Sequence, residues 1–142
     1  MNKYIAGIIA GFIATVVMSL LLMFKSMMGL MPDFDIIAMI ASKMGGSKAI
    51  ALVAHFMIGS IGYGIGIALA SGNNLHKSFV GLGIGIGFVG WLVMMVAVMP
   101  IMGKAMFGLD MPSGVMIPIA TLMLHIVFGV VLGKAYTKLV HK

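Results

Sequence analysis

Four long stretches of this chain are almost free of charge, Lys134 near the end of the last being the one exception. They are Tyr4–Phe24, Ala49–Ala70, Phe79–Met102 and about Val115–Tyr136. A helix needs about 20 residues to cross roughly 30 Å of hydrocarbon, and each stretch is long enough. The apolar positions do not alternate with period two, so barrel strands are excluded, and a lipid-spanning backbone must then be helical. The pattern predicts an all-α, polytopic membrane protein of four transmembrane helices in one domain, residues 1–142. Pro100 falls near the end of the third stretch and Pro118 in the first turn of the fourth, where proline is tolerated or bends the helix locally.

The connections differ in kind. Ser71-Gly72-Asn73-Asn74 reads as a short polar turn between the second and third spans. Gly29 to Lys48 is longer, and Asp33 to Ile40 within it reads as a short interfacial helix with an aspartate as N-cap. Gly45-Gly46-Ser47 breaks that helix before the second span. Met1-Asn2-Lys3 and the apolar run after it superficially resemble a signal peptide. The run is too long for one and no small-x-small cleavage site follows it, so it reads as a retained first helix.

Composition agrees with a lipid solvent. Hydrophobic residues make up 62% and charged residues 8% of the chain, against roughly 25% charged in an ordinary soluble domain. All nine basic residues are lysines and all three acidic ones are Asp33, Asp35 and Asp110. Without arginine or a basic face, nucleic acid is not an expected partner. The lysines sit at the ends of apolar runs, where they snorkel to headgroups. The expected partners are the bilayer and either further copies of the chain or a larger membrane complex. Lys3, Lys77, Lys134, Lys138 and Lys142 share a face with both termini; Lys25, Lys43, Lys48 and Lys104 lie opposite, with the aspartates. By the positive-inside rule the termini face the cytoplasm, in a prokaryotic cytoplasmic membrane. The absence of cysteine excludes disulfides, thiolate metal sites and cysteine nucleophiles.

The two halves of the chain also match each other. Gly11-Phe-Ile-Ala-Thr-Val-Val-Met18 aligns with Gly87-Phe-Val-Gly-Trp-Leu-Val-Met94. Lys25-Ser-Met-Met-Gly-Leu-Met-Pro32 aligns with Lys104-Ala-Met-Phe-Gly-Leu-Asp-Met-Pro112, with one insertion, and His55-Phe-Met-Ile-Gly59 with His125-Ile-Val-Phe-Gly129. The expectation is a tandem duplication of a two-helix unit, about residues 4–70 and 79–136, related by a pseudo-two-fold axis along the membrane normal. The arrangement resembles a family of small four-helix prokaryotic membrane proteins known only as a domain of unknown function. The paired His-x-x-x-Gly blocks and the Met-Pro and Gly-Leu segments after spans one and three carry that resemblance over nearly the whole chain. It implies the architecture and no activity.

His55 and His125 are the ionisable residues clearly inside spans, and such residues mark function by default. Three readings follow. In the first, helices pack closely through small residues at spacings of four and the histidines bond across an interface with no cofactor at all, as in a non-catalytic structural subunit of a larger membrane complex. In the second, His55 and His125 ligate a haem b between helices two and four, Gly59 and Gly129 leave room for the macrocycle, and Lys25 and Lys104 meet its propionates. The third is a copper or other transition-metal site, for handling or transport. Its ligands would come from His55, His125, Met27, Met31, Met106 and Met111, with Asp35 and Asp110 as harder donors. Methionine is also a soft core filler, and 17 are present. The segment Gly85-x-Gly87-x-x-Gly90 matches a dinucleotide fingerprint but lies inside a span, without the strand and turn that chemistry needs. No nucleophile with a base is visible, so a stand-alone hydrolase or transferase is not expected.

Overall fold

A computed structural model describes residues 1–142, and it is helical throughout with no strand. Helix α1 runs Lys3–Met27 and the short α2 runs Ile36–Lys43. Helix α3 covers Lys48–Ala70, α4 Val80–Ile101 and α5 Met116–Val140. The four long helices have the length and apolarity of membrane spans, and their ends lie within a few residues of those the uncharged stretches predict. Three of the five starts have a local cap. The Asn2 side chain accepts the Tyr4 N–H, the Asp35 carboxylate caps α2 by accepting the Ala38 N–H at 3.0 Å, and Ser47 Oγ caps α3. Such caps satisfy backbone donors that a helix start leaves free.

Two helices depart from α geometry. Residues Ile58–Gly62 of α3 and Met94–Val98 of α4 form single π turns, which the apolar patterning does not signal.

The bundle consists of two hairpins, α1 with α3 and α4 with α5, joined because α1 also packs along α5. Lipid offers no hydrophobic drive between helices, so close van der Waals approach must hold them. The buried positions of α1 show how: Ala6, Gly7, Ala10, Gly11, Ala14 and Thr15 form a stripe of small residues. A Cβ built on Gly7 would stand 2.1 Å from the Gly64 carbonyl oxygen, and one on Gly83 would stand 2.2 Å from that of Gly129. Backbone therefore touches backbone in both hairpins. Helices α3 and α4 behave differently: their backbones approach only along the Tyr63–Ala70 turns of α3, and the Tyr63 ring reaches across to Gly90.

At one end Tyr136 is fully buried. Its hydroxyl hydrogen-bonds Ser71 Oγ at 2.9 Å and its ring meets Phe79 edge-on. That bond ties the second connection to the end of α5.

Candidate functional site

The missing backbone contact between α3 and α4 leaves a cavity of about 400 Å³ in the middle of the bundle. All four spans contribute to its wall, which is overwhelmingly apolar. Ligand pockets usually fall in the range of about 300–1,000 Å³ with a few polar anchors. Here the anchors are His55, His125, Thr15, Thr121 and the hydroxyl-bearing ring of Tyr63.

The two imidazoles open onto this one cavity from different helices. His125 sits on the buried face of α5. Its Nδ1 lies 2.8 Å from the Thr121 carbonyl oxygen. A carbonyl only accepts, so Nδ1 carries the proton and Nε2 keeps its lone pair. The Thr121 hydroxyl donates back to Ile117, and the Trp91 indole N–H donates to Thr121 Oγ1 and the Pro118 carbonyl, both at 3.1 Å. Trp91 thus clamps α4 to the turn that orients His125. His55 is held differently: its Nε2 is buried and has no hydrogen-bond partner, and its ring meets Phe56 edge-on. A buried polar atom without a partner costs about 1–3 kcal/mol, and it calls for an occupant or a functional reason. Ser60 Oγ is the other such atom, whereas Thr15 and Ser19 bond their own helix as membrane-helix hydroxyls do.

The glycines divide into two groups. Gly59 lines the cavity but has no room for a side chain, since a Cβ there would strike Thr15, and a Cβ on Gly129 would strike the Gly83 carbonyl. They serve helix contact. Gly62 and Gly66 line the cavity and have nothing within 4 Å of a built Cβ, so the room beside the histidines comes from them.

Phe34, Ile36 and Ile40 close the cavity at the aspartate-bearing end. The loop behind them is fastened twice. The Lys25 ammonium donates to the carbonyls of Met31, at 2.9 Å, and Phe34. The Asp33 carboxylate accepts from the Ser113 N–H at 3.0 Å and from the Ser113 hydroxyl, across 80 residues of chain. Those two bonds hold Asp33 below the usual carboxylate range.

The remaining expected residues are scattered. Lys25 lies in a crevice beyond Phe34, and Lys104 is exposed. Met27 and Met106 are exposed, while Met31 and Met111 are buried in one cluster below the cap. Asp35 caps α2 and Asp110 accepts the Ala105 N–H. No three histidine or carboxylate side chains come together anywhere in the chain.

A family model covers residues 1–142 from end to end. The chain belongs to the DUF6789 family, a family of unknown function. No curated protein and no solved structure matches it. For a DUF6789 chain the description of what the protein does must therefore come from the cavity itself.

Proposed function

We propose that the central cavity holds a flat, largely apolar cofactor anchored by His55 and His125, with haem b as the ligand, and that the protein uses it to handle electrons or sense a small molecule. The observation that carries this reading is the state of the two imidazoles. One has its Nδ1–H tied to a backbone carbonyl, the arrangement that orients a ligating histidine and leaves Nε2 free. The other ends in a buried nitrogen with no partner. Both line one apolar cavity beside the two glycines with open space, Gly62 and Gly66. The propionates would have only the remaining donor of Lys25 or the exposed Lys104 to meet, so their binding energy comes mainly from the interface and solvent.

The duplication belongs to the same proposal. The ordered sequence blocks support it, and so does the shared use of glycine against a facing carbonyl in both hairpins. The lysine distribution supports cytoplasmic termini.

The test is an absorption spectrum of the protein purified in mild detergent after expression with haem supplied. The expected result is a Soret band, lost in His55→Ala and in His125→Ala, with no further loss in the double variant because one centre is shared. Full haem content in the folded double variant, or none in the folded wild type, overturns the proposal.

A further inference from the structure

Methionine is not spread evenly through the interior. The main core of ten buried residues contains one, Met18. A second, separate core of six contains four: Met31, Met95, Met99 and Met111, with Phe34 and Ile117. If methionine were only filler, a chain with 17 in 142 residues would place about one in a cluster of six. The four thioethers come from three segments, namely the α1–α2 loop, the end of α4 and the α4–α5 loop. Each is almost fully enclosed.

Two features of the backbone serve this gathering. Met31 adopts φ 45°, in the left-handed region that residues with side chains enter at an energetic cost. Lys25 holds the Met31 carbonyl in that conformation. The π turn Met94–Val98, just before Pro100, spans Met95 and ends beside Met99, both fully buried, and such turns are frequent at functional sites.

We propose that Met31, Met95, Met99 and Met111 form a thioether site for a soft monovalent cation, Cu(I). Thioether sulfur favours Cu(I) over harder ions, and the chain gathers no histidine–carboxylate set that would suit a divalent metal. A lone positive charge in an apolar site needs compensation. Trp91 packs against the cluster, and an indole ring can attract a nearby cation. Met27, 75% exposed, and Met106, 52% exposed, stand on the flanking segments as first points of capture. The site is independent of the haem reading, since neither histidine belongs to it.

The experiment titrates the full-length protein in mild detergent with Ag(I), a redox-stable stand-in, and with Cu(I) under anaerobic reduction. Trp91, the only tryptophan, reports by fluorescence, and X-ray absorption reads the coordinating atoms. One equivalent with an all-sulfur shell is expected. Met95→Leu with Met99→Leu conserves volume well enough to keep the fold and should weaken binding at least tenfold, while Met123→Leu, on the lipid-facing surface, should not. Absence of stoichiometric binding by the folded wild type overturns the proposal. So does a nitrogen or oxygen shell, or full affinity in the Met95/Met99 double variant. Loss of binding in His55→Ala with His125→Ala but not in the methionine variants would assign the metal to the imidazoles instead.

Discussion

Adding one methyl group at Gly7 should separate the first hairpin. A Cβ there would lie 2.1 Å from the Gly64 carbonyl oxygen, and ordinary contact begins at 3.4 Å, so about 1.3 Å of retreat is required. The obstructing atom is backbone and cannot swing aside as a flexible side chain would. Retreat of α3 loosens the adjoining contacts too, including Gly11 against Gly59. Overpacking of a close interface costs about 1–3 kcal/mol, and the required displacement puts Gly7→Ala toward the upper end. Gly64→Ala should cost a similar amount, since its Cβ would meet the Gly7 carbonyl at 2.5 Å. One retreat makes room for both methyls, so the double variant should lose clearly less than the sum of the singles. Gly85→Ala is the control, with nothing within 4 Å of the new methyl. Unfolding in mixed micelles by a rising fraction of denaturing detergent, followed by helix circular dichroism, measures all four proteins. If Gly7→Ala is no less stable than Gly85→Ala, or if the Gly7 and Gly64 effects simply add, backbone contact does not hold this hairpin.

Three further outcomes follow from the polar contacts. Asp33 has its folded pKa lowered by Ser113, so its contribution is complete above the unfolded carboxylate pKa and is lost as pH falls through the lower folded value. Hydrogen exchange of residues 29–35 should therefore be protected to the same extent from pH 5 to 8, after correction for the intrinsic rate, and should lose protection at pH 7 in Asp33→Asn; unchanged protection in that variant refutes the latch. Tyr136→Phe removes the bond to Ser71 and should cost about 1 kcal/mol in the same unfolding assay, the usual worth of a hydrogen bond between membrane helices. Reporter fusions after Ser71 and at the C-terminus should mark the cytoplasm and one at Gly45 the opposite side, and the reverse pattern would refute the assigned orientation.

The spans were legible because hydrocarbon thickness imposes a length that uncharged runs reveal directly. The cap at Asp35 was legible because capping is local. What could not be read was rotation. Helices that are apolar nearly all round carry little amphipathic signal, so spacing alone could not say which glycines meet a neighbouring helix and which face open space. Gly129 was expected beside a cofactor and instead packs on Gly83; Gly59 does line the cavity but against Thr15, and the open space lies at Gly62 and Gly66. Met27 and Met31 were expected in one ligand set, but α1 ends at Met27, which is exposed, and Met31 turns inward from a loop. Lys25 was read for its charge; its structural task is to hold two carbonyls. The π turn Ile58–Gly62 depends on how α3 fits its neighbours and no proline marks it, whereas Met94–Val98 precedes Pro100, which has no N–H for the Val96 carbonyl.

Phe34 links the two proposed sites physically. It is 2% exposed, closes the central cavity, and is a member of the methionine cluster. Its position is set by Lys25 through its own carbonyl and by Asp33 through the neighbouring bond to Ser113. A ring in close-packed surroundings cannot shift without displacing what it touches. A cation that draws Met31 and Met111 together therefore acts on the same loop that floors the cavity, and a ligand pressing on Phe34 acts on the thioethers. Coupling of this kind is reciprocal in binding free energy. The Asp33–Ser113 bond is where such coupling can be cut, because it joins the first connection to the third without contributing an atom to either site.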